Sequence, residues 1–326
     1  MNKALMNLLP YKLVNNHLQN SRFFNDESAE TPELYTADGE LVKVFYLKNS
    51  LNTHYPYSMV SGRISNRILW DRFNEGLPIH FYNHQDMLST SKYGVKKFGI
   101  LRESEAIVPT DYRYILEHPS VAQEFDQIFT HNEEILNRYS NASFVPAYGL
   151  WYGSKRYGGE LSPDNYTLKT KEVSIIASNK DISEYHKIRR LLAEKYMSHP
   201  KVDGYGKACG NYVDLKADAL TPYRYSIVVE NGNSSYYFTE KILDCFASMT
   251  VPIYLGAPKI GEFFNMDGII VIDKNNPLEL DQILATCSES DYLARLDAIK
   301  DNFNRVHKYI SFEDYILDNY GEMFEV

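Results

Sequence analysis

The chain has 326 residues, of which 44% are hydrophobic and 24% charged, and it carries a formal net charge of −9 at pH 7. This length suits one large or two medium domains, and the apolar content is sufficient for sizeable cores. The acidic balance argues against a protein devoted to nucleic acid, although it leaves room for a local basic pocket. The three cysteines, Cys209, Cys245 and Cys287, show no metal-ligand spacing, and their odd number gives no disulfide framework, which fits a reducing compartment.

The first half of the chain alternates apolar runs with helical patterns, after a polar segment over residues 1–40 that shows little periodicity. The runs typical of strands are Leu41–Leu47, Ile79–Tyr82, Lys97–Leu101, Phe125–Thr130 and Ala142–Val145. The segment Asn66–Asn74 has the pattern of a helix. Strands that alternate with short helices predict a parallel sheet with helices on both faces.

The alternation stops at Gly149–Pro163, a segment rich in Gly, Tyr and Ser that we interpret as a linker, and then starts again. The predicted strands of the second half are Val173–Ala177, Lys201–Tyr205, Tyr225–Val229, Val251–Leu255 and Ile269–Ile272. The predicted helices are Ser183–Met197, one that begins after Thr239, Tyr292–Asn302 and Phe312–Phe324. The sequence thus predicts an α/β protein of two domains, 1–155 and 156–326, with tail helices that can pack back on the first domain.

The segment Tyr223–Gly256 has the pattern of one βαβ unit, with the polar loop Glu230–Ser235 at the carboxyl end of its first strand. Open α/β sheets bind their ligands outside the carboxyl ends of the strands. Thr239 is a predicted N-cap, with Glu240 and Lys241 in the first helical turn. A helix N-terminus attracts anions, and a neighbouring lysine adds charge for a phosphate. The unit therefore predicts a nucleotide or phosphate pocket.

Three parts of this unit resemble the donor motif of the α-1,3/4-fucosyltransferases, glycosyltransferase family 10: Glu230-Asn231, Tyr237–Lys241 and Val251–Gly256. The family pattern is Phe-Glu-Asn, a six-residue step from the Asn to a Tyr, Thr-Glu-Lys, and a Val-Pro strand after the helix. The resemblance implies an α/β fold of the GT-B type, with two Rossmann-like domains facing a cleft. It also implies inverting transfer of L-fucose from GDP-fucose to a hydroxyl of N-acetylglucosamine in a LacNAc or Lewis-type glycan, with the α-1,3 linkage favoured.

The resemblance assigns donor-binding roles to five residues. Lys241 matches the lysine that contacts the donor pyrophosphate, and Glu240 matches the glutamate that binds the ribose hydroxyls. Asn231 and Tyr237 match residues that line the phosphate and sugar pocket. Glu230 matches the family's glutamate, although a valine replaces the usual aromatic before it. A plainer interpretation stays open for each residue. Lys241 can be a solvated surface lysine, and Glu240 a first-turn glutamate favoured by the helix dipole. Asn231 and Tyr237 can be ordinary packing residues, and Glu230 a strand-end carboxylate with a structural partner.

A second candidate site is Arg102–Glu105, which follows the predicted strand Lys97–Leu101 and so lies at a strand's carboxyl end. The family has a glutamate here that serves as general base. Glu103 matches it, and Glu105, which stands where proline is common, is the second candidate. An inverting transfer needs one carboxylate on the acceptor side to take the hydroxyl proton. The aromatics around Trp70 and Phe81 could form an acceptor surface, but buried aromatic packing is the commoner role.

One departure from the family concerns an arginine that many members carry near the start of the helix after a Ser-Asn pair, where it contacts the pyrophosphate. Counting six residues past Asn179 gives a tyrosine at that position. The candidates for this second phosphate contact are Tyr185, His186, Lys187 and Arg189. Tyr185 and Leu192 share the apolar face of the predicted helix, which favours an orientation of Arg189 away from the site.

The resemblance implies that no cofactor is required, since GDP-fucose is the donor substrate and a divalent metal is at most stimulatory. The expected partners are GDP-fucose and an acceptor glycan (of a lipopolysaccharide, a free oligosaccharide or a glycoprotein), with peripheral membrane association as an option and no nucleic acid. No apolar run reaches the roughly 18 residues of a membrane span, and no signal-peptide pattern is present. We therefore expect a cytoplasmic enzyme of bacterial or viral type, although a trimmed ectodomain would show the same pattern. The alternatives are a glycosyltransferase of the same fold with another nucleotide sugar, and a non-catalytic glycan-binding relative.

Overall fold

The computed structural model describes residues 42–50, 65, 67–72, 74–90 and 94–325, so the polar segment 1–40 lies outside the described residues. The chain divides into two compact units. The first comprises the described residues up to Glu103, then Val108–Ala147 and the tail from Ser311. The second comprises the short segment Ser104–Ile107 and the long segment Tyr148–Ile310.

Within its described residues, the first unit contains a six-stranded sheet in the order β2-β1-β3-β4-β5-β6, and all its pairings are parallel. Its strands are β1 (Lys43–Lys48), β2 (Ile68–Asp71), β3 (Ile79–Asn83), β4 (Lys96–Leu101), β5 (Gln127–Thr130) and β6 (Ala142–Phe144). Its helices before the tail are α1 (Pro109–Glu117), α2 (Pro119–Ala122) and α3 (Glu133–Arg138). Five of these strands confirm predicted strands to within two residues at each end.

The predicted helix over Asn66–Asn74 is wrong, because its central part, Ile68–Asp71, is the strand β2 paired in parallel with β1. All four side chains of β2 are buried. Trp70 lies edge-on against Phe81 at 5.0 Å between ring centroids, and its Nε1 donates to Glu313 Oε1 at 2.9 Å. A short apolar run buried on both sides carries no period that separates strand from helix.

The second unit is built on a five-stranded sheet in the order β11-β10-β9-β7-β8, again with parallel pairings. Its strands are β7 (Lys171–Ile176), β8 (Val202–Tyr205), β9 (Tyr223–Val229), β10 (Val251–Leu255) and β11 (Ile270–Val271). Its helices are α4 (Glu184–Tyr196), α5 (Glu240–Ala247), α6 (Asp281–Thr286), α7 (Glu289–Ala294) and α8 (Leu296–Val306). Every residue of β9 and β10 is buried, as a parallel sheet covered on both faces requires.

The predicted helix Tyr292–Asn302 is two helices, α7 and α8, which meet at Arg295. Ser288 caps α7 by accepting from the Asp291 amide. The Arg295 side chain binds Asp291 Oδ2 and the Asp267 carbonyl oxygen, at 3.0 and 2.9 Å, which fixes the junction. The periodicity of the apolar residues continues across this junction and therefore gives no signal for it.

The tail of the chain contributes a helix, α9 (Phe312–Tyr320), and a 3-10 turn, Gly321–Phe324, to the first unit. In that unit Phe81, Phe98 and Phe129 lie on the neighbouring strands β3, β4 and β5, and their rings stack at 5.0 and 5.9 Å. Phe324 packs on Phe98 at 5.0 Å. Burial of these aromatic rings, each a large apolar surface, holds the tail on the sheet.

Among the residues that the structure describes, no helix has the length and the apolar character needed to span a membrane.

Candidate functional site

The first candidate site lies at the carboxyl end of β9, where a loop leads into α5. Val229 ends β9 and pairs with Leu255, the last residue of β10. Thr239 is the N-cap of α5, as predicted, and its hydroxyl accepts from the Lys241 amide at 3.3 Å. Glu240 and Lys241 form the start of the helix. The remaining amides of the first turn point toward the loop end, which makes this a favourable place for an anion.

Glu230 fixes the position of the start of α5 by binding its N-cap residue, Thr239. Its carboxylate is fully buried, and its two oxygens accept from the Thr239 amide at 2.9 Å and the Thr239 hydroxyl at 2.6 Å. Burial raises the pKa of Glu230, while Lys241 and Thr239 act in the opposite direction. A Cβ on Gly256 would lie 2.6 Å from Glu230 Cγ, so the glycine leaves room for the carboxylate at this place.

Lys241 carries its ammonium group between two carboxylates. Its Nζ lies 3.2 Å from Glu240 Oε1 and 3.5 Å from Glu230 Oε2. Burial works to raise the pKa of Glu240, but Lys241 and Lys216 more than offset that effect, so the pKa lies below its ordinary value. Glu240 is therefore ionised at neutral pH, as an acceptor for sugar hydroxyls should be.

Arg189 reaches the same loop from α4. It is buried, and its Nη1 donates to the Val229 carbonyl oxygen at 2.7 Å, with Asn231 Oδ1 at 3.4 Å from Nη1 and 3.3 Å from Nη2. Burial lowers the pKa of this guanidinium, and the Glu230 and Glu240 carboxylates oppose the effect. The expectation that Arg189 points away from the site is wrong. Leu192 does enter the core, but the long arginine side chain turns to the strand end.

The other three candidates near the start of α4 lie in different surroundings. His186 is buried beside the N-cap Ser183, whose hydroxyl donates to the Asn231 carbonyl oxygen at 2.9 Å. Burial raises the pKa of Tyr185, and its hydroxyl forms a hydrogen bond with the side chain of Asn233 in the loop. Lys187 lies in solvent, 3.9 Å from Asp181. Of these candidates, Arg189 is therefore the cation that the fold brings to the loop.

Tyr237 and Asn231 frame the loop. Tyr237 is fully buried, and its amide donates to the Ser234 carbonyl oxygen at 3.0 Å. Asn231 is half-buried and contacts Arg189 as described. Between them, a Cβ on Gly232 would lie 2.6 Å from Ser104 Oγ, because the short segment Ser104–Ile107 of the second unit packs against the loop. The loop thus combines two cations, a helix N-terminus and one ionised carboxylate, a set suited to a sugar-linked diphosphate.

A buried ion pair between Lys216 and Asp244, which no sequence pattern indicates, supports α5. Lys216 Nζ lies 2.5 Å from Asp244 Oδ2, one helical turn after Glu240, and Asp244 Oδ1 accepts from the Trp151 and Tyr152 amides, each at 2.8 Å. Lys216 also lies over the Trp151 ring at 5.1 Å. Lys216 and Trp151 belong to no sequence motif near α5, so their contacts with this helix could not be predicted from the sequence.

The second candidate site, in the first unit, is the carboxyl end of β4. Glu103 is partly exposed, two residues beyond Leu101, and its backbone is held by His84 and Tyr112. Glu105 is also partly exposed but belongs to the short segment of the second unit. Trp70 and Phe81 have the commoner role of buried aromatic packing, because both are fully buried in the core of the first unit and offer no surface to an acceptor. Among the described residues, no group of three or more His, Cys, Asp or Glu side chains is arranged to hold a metal ion.

The part of the chain that holds the first candidate site is similar to known proteins. Residues 166–293, which include β9, α5 and β10, match the profile of glycosyltransferase family 10 (fucosyltransferase), C-terminal domain. The chain is 34% identical over 108 residues to the α-(1,3)-fucosyltransferase FucT of Helicobacter pylori, a match that covers 32% of this chain and 22% of that protein. The chain thus matches about a fifth of the length of this curated relative.

Two solved structures resemble the chain over most of its length. A crystal structure of α1,3-fucosyltransferase has a TM-score of 0.52 at 19% identity, covering 90% of this chain and 95% of that one. A crystal structure of α1,3-fucosyltransferase with GDP-fucose has a TM-score of 0.50 at 18% identity, with the same coverage. The predicted fold class, two parallel-sheet α/β domains of the GT-B type, is confirmed. The predicted resemblance is confirmed as well, because residues 166–293 match the model of that family's C-terminal domain and the chain is similar to the H. pylori fucosyltransferase.

Proposed function

We propose that this protein is an inverting fucosyltransferase, which moves L-fucose from GDP-fucose to a hydroxyl of N-acetylglucosamine in a LacNAc or Lewis-type glycan. The observation that carries the proposal is the start of α5, where Lys241 and Glu240 stand beside the loop that Arg189 reaches. The family match of residues 166–293 and the H. pylori relative support fucosyl transfer, and the relative's α-(1,3) designation favours that linkage.

In this proposal the second unit binds the donor. Lys241 and Arg189 pair with the two phosphates, and the amides at the start of α5 donate to the oxygens between them. Glu240 accepts from the ribose hydroxyls through its ionised carboxylate. Asn231 and Tyr237 line the pocket. Because both oxygens of Glu230 are already bound to Thr239, we assign Glu230 the role of holding the helix start rather than touching the donor.

Glu103 is the proposed general base, and Glu105 is the second candidate. The acceptor oxygen attacks C1 of fucose and forms the new glycosidic bond, while the bond from C1 to the GDP oxygen breaks. The hydroxyl proton passes to the Glu103 carboxylate, and the anomeric centre inverts without a covalent enzyme intermediate. The negative charge that develops on GDP is stabilised by Lys241, Arg189 and the helix N-terminus, so no cofactor is needed and a divalent metal is at most stimulatory.

The acceptor class, the location and membrane association belong to the same proposal. N-acetylglucosamine as acceptor follows from the family resemblance, and the glycan that carries it can be a lipopolysaccharide, a free oligosaccharide or a glycoprotein glycan. A cytoplasmic location is supported by the cysteines Cys209, Cys245 and Cys287, which are all free thiols. Peripheral association with a membrane would bring a lipid-linked acceptor to the enzyme.

The test is a GDP-release assay with donor controls. Purified protein is incubated with GDP-fucose, GDP-mannose or UDP-galactose, each with and without N-acetyllactosamine. Release that requires both GDP-fucose and the acceptor supports the proposal. Release with a different nucleotide sugar would identify a glycosyltransferase with another donor, and binding of N-acetyllactosamine without any turnover would identify a glycan-binding relative.

A further inference from the structure

Three buried side chains of the first unit surround the backbone of Arg102 and Glu103. In the parallel sheet, Asn83 at the end of β3 pairs with Ile100 near the end of β4. His84 follows β3 directly, and Arg102 follows β4. The two strand ends therefore place His84 beside the dipeptide that carries Glu103, although 18 residues separate His84 from Arg102.

His84 has an unusual backbone conformation for this contact. Its φ is 52°, in the left-handed region, which is unfavourable for a residue with a Cβ. Its side chain is buried, and Nε2 accepts from the Arg102 amide at 3.1 Å and from the Glu103 amide at 3.0 Å. A ring nitrogen that accepts from two amides carries no hydrogen, so the imidazole hydrogen is on Nδ1.

Asp111 in the first turn of α1 faces the other ring nitrogen. Its Oδ2 lies 3.1 Å from His84 Nδ1, although the direction of the N–H is too oblique for a hydrogen bond. The contact is therefore an electrostatic attraction between the carboxylate and the N–H. It favours the same tautomer, with hydrogen on Nδ1 and a lone pair on Nε2.

The carbonyl groups of the dipeptide are held as well. Tyr112 donates its hydroxyl hydrogen to the Glu103 carbonyl oxygen at 2.5 Å, and His131 Nε2 lies 3.1 Å from the Arg102 carbonyl oxygen and 3.1 Å from the Tyr112 hydroxyl. Burial lowers the pKa of His131 to about 4, so the ring is neutral at pH 7. Both amides and both carbonyls of Arg102 and Glu103 are thus bound by side chains of the same unit.

We propose that His84 is a positioning residue for Glu103, which acts by holding two consecutive amides through one ring nitrogen, with Tyr112 and His131 holding the carbonyls. This inference rests on the proposed function, because Glu103 matters for transfer if it is the base. A strand end would otherwise leave these amides to water, and the Glu103 carboxylate would sample several directions. A base displaced by about 1 Å can lower the rate about 100-fold, so the restraint has a kinetic consequence.

The experiment compares His84→Ala with His84→Gln, whose side-chain amide oxygen can still accept from the two amides. We expect His84→Ala to lower kcat about 10- to 100-fold, with the GDP-fucose KM changed by about twofold or less since the donor residues belong to the second unit. Hydrogen exchange at the Glu103 amide, followed in the peptide over residues 101–107, should become faster. His84→Gln should recover much of both effects. Tyr112→Phe removes the hydroxyl that binds the Glu103 carbonyl oxygen and should also lower kcat. This variant replaces His84→Ala in the test if His84→Ala does not fold.

A matched control is His118→Gln, at an exposed histidine of the first unit that stacks on Tyr114. It should leave kcat and exchange unchanged. The inference is overturned if His84→Ala keeps wild-type kcat, or if its Glu103 amide exchanges as slowly as in the wild type. Glu103→Gln is measured in the same assay, and normal turnover in that variant rejects Glu103 as the base. Amide exchange in His84→Ala tests the restraint of the Glu103 backbone separately, because it does not depend on enzymatic activity.

Discussion

Replacing Lys241 by methionine removes the cation at the start of α5 while keeping most of the side chain's length. In the structure this ammonium lies 3.2 and 3.5 Å from the Glu240 and Glu230 carboxylates, and it is the cation closest to the helix N-terminus in the proposed donor site. A hydrogen bond to a charged group contributes about 1.5–3 kcal/mol. At 1.4 kcal/mol for each tenfold change, we expect GDP to bind about 10- to 100-fold more weakly.

The same substitution should change how GDP binding depends on pH. In the wild type, burial opposes the ionisation of Glu240 but Lys241 and Lys216 keep its pKa below the ordinary value. Without Lys241, one of the two positive charges that lower the pKa of Glu240 is lost while the effect of burial remains. The pKa of Glu240 therefore rises, and its carboxylate protonates at a higher pH. The ratio of variant to wild-type dissociation constants should therefore grow as the pH falls from 7 to 5. Using this ratio removes the titration of GDP itself, which is common to both proteins.

Isothermal titration of GDP at pH 5, 6 and 7 measures both effects. Lys195→Met is the matched control, because Lys195 lies in the last turn of α4 and pairs with Glu279 on the surface. This control should bind GDP as the wild type does. An unchanged dissociation constant in Lys241→Met would refute the phosphate role of Lys241. If GDP binds more weakly to Lys241→Met but the ratio of the two dissociation constants does not change with pH, the coupling of Lys241 to Glu240 is refuted.

Three further substitutions test other parts of the account. Glu103→Gln should lower kcat about 10²- to 10⁴-fold in the GDP-release assay, since general base catalysis contributes that much, and should leave the GDP dissociation constant within about twofold. Thr239→Ala removes both the cap of α5 and a partner of the buried Glu230, so it should cost about 1–3 kcal/mol of unfolding free energy in urea titration; a loss below about 0.5 kcal/mol would contradict the role of this pair. Gly256→Ala would place a Cβ 2.3 Å from the Tyr254 hydroxyl, so the melting temperature should fall by several degrees, and a wild-type melting temperature would show that this site can relax.

The strands and the βαβ unit could be predicted because their physical causes are local. β9 and β10 are short apolar runs bounded by polar loops, and Thr239 has the residue type that an N-cap prefers. β2 could not be recognised, since its Trp70 finds its hydrogen-bond partner Glu313 more than 240 residues later in the chain. The apolar residues around it fit a helix equally well at this length.

The site shows the same division between local and distant causes. Glu240 and Lys241 follow from their place in one helical turn. The direction of Arg189 does not, because helical periodicity predicts which face is apolar and not how far a long polar side chain reaches along that face. His84 could have been suspected from its position after a predicted strand, but its two amide contacts depend on the register between β3 and β4.

The chemical structure of the product tests the proposed fucosyl transfer most directly. The protein is incubated with GDP-fucose and N-acetyllactosamine, and the purified oligosaccharide is examined by NMR for the anomeric configuration of fucose and its attachment point. We expect a single new fucose, linked to the 3-hydroxyl of N-acetylglucosamine, with its anomeric configuration inverted relative to the donor. Retention of the donor configuration would contradict the single-displacement mechanism with Glu103 as base, and the absence of any fucosylated product while GDP still binds would contradict the proposed activity.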